Sequence, residues 1–443
     1  MEKDLTRGSV GATMLKFALP MIFGNMLQQC YNIADTVIVG RACGEDALAA
    51  VGSAYTLMTF ITSVIIGLCM GSGAVFSACF GRGDRQSLRS GAVASFGFIA
   101  AVTVVMNIAV VALGDNLLRL LRVPEGVLPL MSDYIGVIYI GIAFIFLYNF
   151  FAFLLRSCGN SGVPLIFLAI SAVINIALDI VFVVIFDFGV KGAAAATVIA
   201  QAASGLGLAA YTLIKQPELR PTRHDFAASR GLMPGVVRHS LAASVQQSVM
   251  NFGILMIQGL VNSFGVTVMA AFAAAVKVDT FAYMPAQEFG NAYSLFISQN
   301  NAAGRADRVK EGTRRAVALS VAFCAVVSVA VFAFAPQLIG VFVDEPSAAL
   351  VATGAQYLRI EGSCYFAIGV LFLLYGYYRG IEKPEMSLVL TVISLGTRVL
   401  LAYLLAPIKA VGVLGIWWAI PIGWFLADAV GLAFMKKNTS KRR

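Results

Sequence analysis

The stretch Ser171–Phe186, SAVINIALDIVFVVIF, decides the fold class of this chain. Apart from Ser171, Asn175 and Asp179 its side chains are all hydrocarbon, and the apolar run as a whole extends over 163–186. At about 1.5 Å per helical residue, a run of that length exceeds the roughly 30 Å hydrocarbon core of a bilayer. The stretch therefore predicts a transmembrane helix that carries a carboxylate inside the membrane.

Similar runs occupy most of the chain, in which 59% of the 443 residues are hydrophobic and 12% are charged. Soluble domains have about 25% charged residues, so this composition is not that of an ordinary globular protein. Twelve segments are long and apolar enough to span a bilayer, at about 14–40, 47–80, 91–114, 132–155, 163–186, 192–214, 239–263, 268–300, 316–340, 348–378, 386–407 and 411–435. We therefore predict an all-α polytopic membrane protein with twelve transmembrane helices.

The distribution of Lys and Arg predicts how these helices are oriented. If the N-terminus is cytoplasmic, 24 of the 32 Lys and Arg residues fall in cytoplasmic segments and five in outer loops. Positive charge is enriched on the cytoplasmic side of membrane proteins, so we expect both termini to be cytoplasmic in a multi-pass inner (plasma) membrane protein. The net charge of +9 is then a topology signal, and we expect no nucleic-acid partner.

The sequence repeats itself at an offset of 223 residues. Gly81–Arg85, GRGDR, follows the second apolar segment, and Gly304–Arg308, GRADR, follows the eighth. Arg156 at the end of the fourth segment matches Arg379 at the end of the tenth. Several matches at one offset indicate an internal duplication.

The duplication predicts two six-helix lobes related by a pseudo-two-fold axis along the membrane normal, because six crossings return the chain to its starting side. We expect the N-terminal lobe at 1–214 and the C-terminal lobe, with its basic cytoplasmic tail, at 239–443. The polar segment 215–238 contains three prolines and is expected to be a cytoplasmic linker. Parallel repeats of this kind are typical of secondary transporters.

Two intramembrane carboxylates are expected at the same depth. Asp35 follows Pro20 by 15 residues, and Asp179 follows Pro164 by 15 residues. If each proline marks the cytoplasmic start of its helix, both acids lie roughly 22 Å along, in the outer half of the N-terminal lobe. Charged groups inside a membrane are costly, so the pair is a functional candidate.

Two neutral polar residues extend this pair into a candidate cation site. Asn175 lies one helical turn below Asp179, and Thr197 enters the membrane from the outer side on the next helix. Two carboxylates, an amide oxygen and a hydroxyl suit a proton or a hard cation such as Na⁺, whereas transition metals favour His or Cys. The alternative is that these groups only join helices through hydrogen bonds.

Other classes of function find little support in the sequence. The seven cysteines and two histidines show no metal-like spacing, so we expect no metal beyond a possible Na⁺. No Gly-x4-Gly-Lys-Ser/Thr motif occurs, which leaves an ion gradient as the energy source and H⁺ or Na⁺ in place of a cofactor. We see no catalytic constellation or appended domain, so an enzyme or a receptor is not expected.

Five motifs together resemble the multidrug and toxic compound extrusion (MATE) transporters over essentially the whole chain. They are Leu19-Pro20 with Asp35–Gly40 (DTVIVG), Leu155–Asn160 (LRSCGN), Asn175–Asp179 (NIALD), Gly192–Thr197 (GAAAAT) and Ser298–Arg305 (SQNNAAGR). The resemblance implies twelve helices in two lobes around a V-shaped central cavity. It also implies antiport, in which entry of Na⁺ or H⁺ drives export of amphipathic, often cationic, compounds.

The resemblance also implies a cation site of the prokaryotic DinF-like branch. That site carries over onto Asp35, Asn175, Asp179 and Thr197, and Asn149 is the nearest match to its asparagine on the fourth span. The NorM-like branch instead has an acid on the seventh span, and Ser244–Asn251, SVQQSVMN, contains none.

Adaptable side chains expected to face the cavity are the candidate substrate contacts: Gln28, Tyr31, Gln246, Met250, Tyr283, Met284, Gln287 and Glu288. The transporter is expected to be a monomer that works within the lipid bilayer on small amphipathic or cationic substrates. The alternative within the same superfamily is a lipid-linked oligosaccharide flippase. A flippase needs a basic cluster to hold a diphosphate, and only Lys277 and Arg398 are available.

Some further charged residues in the second half have no assigned role. Lys277 and Glu288 could each line the cavity or pair with another helix, and Asp279 and Glu288 are expected on opposite sides of their helix. Arg359 and Glu361 fall near the outer end of the tenth span, where their side chains could simply reach the membrane surface.

Overall fold

The computed structural model describes residues 4–120, 127–342 and 347–440, and within these ranges it contains helices and no strand. The α-helices are α1 (Val10–Cys43), α2 (Glu45–Gly81), α3 (Arg85–Leu120), α4 (Leu128–Ser157), α5 (Gly162–Asp179), α6 (Gly189–Lys215), α7 (Arg223–Asn262), α8 (Val266–Ala302), α9 (Ala306–Gly340), α10 (Ala348–Gly362), α11 (Tyr365–Gly380), α12 (Pro384–Leu405) and α13 (Val413–Ser440). A π-helix, Ile180–Ile185, continues α5, and a short 3₁₀-helix, Pro217–Leu219, precedes α7.

The number of membrane spans agrees with the sequence. In the described ranges eleven helices are long and apolar enough to cross a bilayer, and a twelfth span results if α10 and α11 count together. These two helices meet at a 51° bend at Ser363 and Cys364, in the middle of the predicted tenth span. The predicted all-α polytopic fold is confirmed, with one of its spans broken.

The chain forms two compact units. The first unit contains Asp4 and Phe23–Ser244, and the second contains Leu5–Ile22 together with the chain from Val245 onward. Two long helices therefore contribute to both units: α1 changes unit after Ile22, and α7 changes unit after Ser244. Most of the segment 215–238, expected to be a linker, forms the start of α7.

Close contacts between small residues hold α4 against α6 in the first unit. A Cβ atom added at Gly205 would lie 2.7 Å from the backbone oxygen of Phe144, and one added at Gly141 would lie 2.3 Å from Oε1 of Gln201. At Gly205 the close atom belongs to the backbone of α4, so only glycine allows the two helices to approach this closely there, whereas at Gly141 the close atom is the end of the Gln201 side chain. The approach fixes the helices that frame the candidate cation site.

In the second unit, glycines likewise allow α8 and α11 to approach each other closely. A Cβ atom added at Gly290 would lie 2.8 Å from the backbone oxygen of Phe372, and one at Gly376 would lie 2.5 Å from the oxygen of Gly290. In membrane helices, which gain little from hydrophobic burial against each other, close packing of this kind is a main source of association.

The internal duplication is visible in the helix ends. Gly159 after α4 and Glu382 after α11 both have positive φ, 79° and 62°, at an offset of 223 residues. The amide of each donates to the carbonyl three residues earlier, on Arg156 at 2.9 Å and on Arg379 at 3.2 Å. Glu382 thus adopts a conformation that favours glycine, because it ends its helix in the same way.

The GRGDR and GRADR match is out of register with the structure by two residues. The turn glycines are Gly83 and Gly304, with φ of 72° and 71°, at an offset of 221. The amides of Asp84 and Arg305 donate to the carbonyls of Cys79 and Asn300 at 3.1 and 2.9 Å, again at 221. The two turns are equivalent, in line with the duplication, but an alignment of GRGDR with GRADR pairs residues that occupy different positions in these turns.

Candidate cation site in the first unit

Asp179 is the last residue of α5, and its side chain is fully buried. The π-helix Ile180–Ile185 follows directly, with the wider spacing in which the amide of Phe186 donates to the carbonyl of Val181 at 2.9 Å. Short π-helical insertions in longer helices occur mostly at functional sites. The change of helical winding therefore falls next to the membrane-buried acid.

Asp35 of α1 faces Asp179. The two carboxyl groups are within hydrogen-bonding reach of each other. Neither brings a donor to that contact: Oδ1 of Asp35 and both oxygens of Asp179 are buried without a hydrogen-bond partner. In the described part of the chain, each carboxyl is the only charged group that acts on the other.

Asn175 and Thr197 join α5 to α6 at the same site. The amide of Asn175, which is 2% exposed, donates to the hydroxyl of Thr197 at 3.4 Å, and its own Oδ1 is buried without a partner. One turn earlier, the hydroxyl of Ser171 donates to the carbonyl of Ala200 at 2.8 Å. The two helices are thus held together by polar contacts, and one amide oxygen remains available.

Tyr134 of α4 connects these two pairs and was not identified from the sequence. Its buried hydroxyl hydrogen-bonds Thr197, and it lies near enough to Asp35, Asp179 and Tyr31 to interact with them electrostatically. A tyrosine in the outer part of an apolar helix is a common membrane-interface residue, so its spacing gave no signal.

The structure does not bring Asn149 into this cluster. Asn149 lies 15 residues beyond Tyr134 on α4, which corresponds to about 22 Å along the helix. Its amide donates to the carbonyl of Ile145, in its own helix, at 2.9 Å. The α4 residue that contacts the site is Tyr134.

The predicted substrate contacts fall in two places. In the first unit Tyr31 hydrogen-bonds Gln28 and lies near Asp35. In the second unit three of the predicted residues line one small pocket, together with five that were not predicted: Gln246, Met250 and Gln287, with Gln247, Asn291, Phe372, Tyr375 and Arg379. No pattern in the sequence indicated that α11 reaches this pocket.

The other three predicted contacts surround that pocket without lining it. The ring of Tyr283 packs on Phe372 with centroids 6.1 Å apart, and Met284 is buried. Glu288 accepts a hydrogen bond from Asn291 at 3.3 Å, and Asn291 accepts one from Arg379 at 2.9 Å. The pocket therefore combines apolar and aromatic walls with amide groups and the guanidinium of Arg379.

The donor set at the first-unit site fits a small hard cation or a proton. All the unpartnered atoms of Asp35, Asp179 and Asn175 are oxygens, and Thr197 adds a hydroxyl. Oxygen ligands of this type bind alkali and alkaline-earth ions, and carboxylates also bind protons. Among the described residues, no group of three or more His, Cys, Asp or Glu is placed to hold a metal ion.

Two homologous helical halves with a polar, carboxylate-containing site inside one of them define a polytopic membrane transporter. The sequence model of the MatE family matches the chain twice, at residues 20–181 and 242–404. The chain belongs to the MatE family, and the two matches begin 222 residues apart, in line with the internal duplication.

Known proteins of similar sequence cover almost the full chain. The probable multidrug resistance protein YpnP of Bacillus subtilis (strain 168) is 32% identical over 88% of this chain and 87% of its own length. The probable multidrug resistance protein NorM of Thermotoga maritima is 26% identical over 97% of this chain and 93% of its own.

Solved structures also share the fold of this chain over almost its full length. An outward-facing multidrug resistance MATE family transporter of the MOP superfamily superposes with a TM-score of 0.93 at 23% identity, covering 99% of this chain and 98% of that one. The chain is therefore a transporter and not an enzyme, and the family predicted from its motifs is confirmed.

Proposed function

We propose that this protein is a secondary antiporter that exports amphipathic, often cationic, compounds in exchange for H⁺ or Na⁺ at the site formed by Asp35 and Asp179. The observation that carries the proposal is the contact between the half-buried carboxyl of Asp35 and the buried carboxyl of Asp179, in which Oδ1 of Asp35 and both oxygens of Asp179 lack a donor and no basic side chain acts on the pair among the described residues. Multidrug relatives of similar sequence support the class of substrate.

The electrostatics of the pair make a cation necessary. Two negative charges about 4 Å apart repel by about 4 kcal/mol at an effective dielectric constant near 20, before the cost of removing them from water is counted. A proton shared between Asp35 and Asp179 removes this repulsion, as does a Na⁺ ion bound by their oxygens. Asn175 and Thr197 would complete the coordination of Na⁺, and Tyr134 holds Thr197 in position.

Coupling follows when the ion favours one state of the cycle over the other. In the outward-open state the pair takes up H⁺ or Na⁺, and loss of its negative charge changes how α1 packs against its neighbours. The hold on the substrate weakens, the substrate leaves, and the transporter returns to the inward-open state. A ligand shifts such an equilibrium only by the difference in its affinity for the two states, and the charge of the pair provides that difference.

The substrate would contact apolar and aromatic groups in the second unit. Met250, Phe372 and Tyr375 offer an adaptable surface, and Gln246 and Gln287 offer hydrogen bonds without a fixed charge. This mixture suits many amphipathic compounds of different shape. A flippase for lipid-linked diphosphates is not favoured, because YpnP and the Thermotoga maritima NorM, two relatives over most of the chain, are probable multidrug resistance proteins.

We further propose that both termini are cytoplasmic and that the protein acts as a monomer in the inner (plasma) membrane. The excess of Lys and Arg in one set of loops supports this orientation.

Efflux of a cationic dye from everted vesicles, with Na⁺ and pH gradients imposed separately, tests the proposal. We expect one gradient to drive efflux and Asp179→Asn to reduce its initial rate at least about tenfold, a coupling free energy within the usual 1–3 kcal/mol. Asparagine keeps the shape of the side chain but holds no exchangeable charge. Asp428→Asn is the matched control, since Asp428 is also a buried membrane acid but belongs to α13. Efflux by Asp179→Asn at the parent rate under both gradients would contradict the proposal.

A further inference from the structure

A second group of charged residues is buried in the second unit, within the membrane-spanning helices. It consists of Asp279 on α8, Glu361 on α10 and Arg398 on α12, which are 2%, 3% and 8% exposed. The side chain of Glu361 does not extend outward from the helices, as its sequence position allowed, but is buried on the last turn of α10, next to the bend after Gly362. None of the three takes part in the site described above.

The two carboxyl groups hydrogen-bond to each other and to tyrosines. The hydroxyl of Tyr365 donates to Oδ1 of Asp279 in a short hydrogen bond. Tyr357 hydrogen-bonds both Asp279 and Glu361, and the two carboxyls are within hydrogen-bonding reach of one another. Arg398 lies close enough to interact electrostatically with both acids.

Three polar atoms of this group remain without a partner. Oδ2 of Asp279, Oε2 of Glu361 and Nε of Arg398 are buried and form no hydrogen bond. Ionised carboxylates only accept hydrogen bonds, so two of them in contact lack a donor until one carries a proton. The geometry of the pair is that of an acid beside its conjugate base.

The charge balance leads to the same conclusion. Two ionised carboxylates and one guanidinium leave an uncompensated negative charge in a buried site, which is strongly unfavourable. The other titratable groups that face the pair are neutral residues, namely Tyr283, Tyr357, Tyr365 and Cys364. One proton on the pair brings the group to neutrality.

We propose that Asp279, Glu361 and Arg398 form a proton-binding site in the second unit, in which Glu361 carries the proton and Asp279 is the ionised partner of Arg398. Asp279 is assigned the charge because it receives the hydroxyl of Tyr365 in addition to the contacts that it shares with Glu361. Arg398 supplies the positive charge that a metal ion would bring, so the site binds H⁺ and excludes Na⁺. The proposal does not depend on the proposed antiport at Asp35 and Asp179.

Infrared difference spectroscopy of the full chain in lipid nanodiscs tests this directly. The experiment uses the double variant Asp35→Asn/Asp179→Asn, which removes the first-unit acids, and follows the carboxylic acid C=O band at neutral pH. We expect Glu361→Gln in this background to remove the signal of one protonated carboxyl. We expect Arg398→Met to add the signal of one further protonated carboxyl, because Asp279 and Glu361 must then both be neutral. Neither signal should change when Na⁺ replaces K⁺.

Asp279→Asn provides a second route if Glu361→Gln does not fold. The remaining Glu361 then ionises against Arg398, and the same carboxylic acid signal is lost. Asp428→Asn is the control for another buried acid of the same unit and should leave that signal in place. An unchanged band in both Glu361→Gln and Asp279→Asn, or a band abolished by Na⁺, would overturn the proposal.

Discussion

Each unit of this chain brings two carboxyl groups beside one another, Asp35 with Asp179 and Asp279 with Glu361. In both pairs an oxygen of each carboxyl lacks a hydrogen-bond donor. They differ in what balances their charge. The second pair has Arg398, whereas no basic side chain acts on the first pair in the described part of the chain.

This difference shows how one duplicated fold can give two kinds of ion site. Where the protein supplies the counter-charge itself, the net charge is fixed and only a proton is needed for neutrality. Where it supplies none, neutrality depends on a cation from solution, and occupancy then responds to a gradient across the membrane. The presence or absence of one arginine therefore separates a resident charge network from an exchangeable one.

The largest predicted effect on transport comes from adding a fixed positive charge to the first pair, as Arg398 provides in the second. Thr197→Lys places a fixed cation beside Asp35 and Asp179, which then need only one resident proton, like the second pair, and no longer exchange a cation with the gradient. We expect gradient-driven efflux to fall at least about tenfold, while the protein remains folded because the new charge is paired. Dye efflux in everted vesicles and size-exclusion chromatography of the purified variant are the measurements.

Thr197→Val is the matched control for that change, since it removes the hydroxyl and adds no charge. We expect it to retain most of the parent efflux. If Thr197→Lys were as active as Thr197→Val, the first pair would not need an exchangeable cation.

The converse change removes the counter-charge of the second pair. Arg398→Met leaves Asp279 and Glu361 without a buried cation, and we expect the free energy of unfolding to fall by roughly 3–5 kcal/mol at neutral pH. The loss should shrink as the pH is lowered, because without Arg398 the folded protein must hold a second proton on the two acids, and the free energy that this costs falls as the pH falls. Thermal unfolding in nanodiscs at several pH values measures it.

Glu361→Gln tests the same comparison from the other side. Glutamine imitates a protonated glutamate and can donate to Asp279, so its destabilisation should stay below about 1.5 kcal/mol, the net value of one hydrogen bond. Equal destabilisation by Arg398→Met and Glu361→Gln at neutral pH would mean that Glu361 is ionised in the native state.

A smaller effect is expected at Tyr134, the tyrosine of α4 that lies beside the first pair and hydrogen-bonds Thr197. Tyr134→Phe removes the hydroxyl that holds Thr197 and leaves the ring in place. A neutral hydrogen bond contributes about 1 kcal/mol, so the half-saturating concentration of the coupling ion should rise about fivefold with little change in maximal efflux. An unchanged ion dependence would remove Tyr134 from the site.

The sequence was sufficient for the fold and for the first pair. Span length, charge bias and the internal duplication predicted the helices, and the spacing of Asp35 and Asp179 predicted that they meet. The proline marks the helix start only for α5, which begins at Gly162, two residues before Pro164; α1 begins at Val10 and contains Pro20, so the assumed start was wrong for the helix of Asp35. Counting residues works wherever a helix is continuous from the membrane surface to the acid.

The same counting failed where a helix is broken. On the assumption of a single straight span at 348–378, the side chain of Glu361 was expected to reach the outer membrane surface, but it is buried inside the unit, next to the bend after Gly362. Its contact with Asp279 and Arg398 joins α8, α10 and α12, and no local pattern in one sequence reports such a contact. Sequence reasoning could therefore list these charged residues without pairing them.

The smallest predicted effect, at Asn149, tests depth counting against resemblance. Resemblance to related transporters assigned Asn149 to the cation site, whereas the structure has it about 22 Å along α4 from Tyr134, bonded to Ile145 of its own helix. Asn149→Ala removes only a hydrogen bond within α4, far from the cation site. It should therefore change the half-saturating concentration of the coupling ion by less than about twofold, because distant sites contribute almost independently. A loss as large as that of Asp179→Asn would mean that α4 shifts along its axis during the cycle and brings Asn149 to the acids.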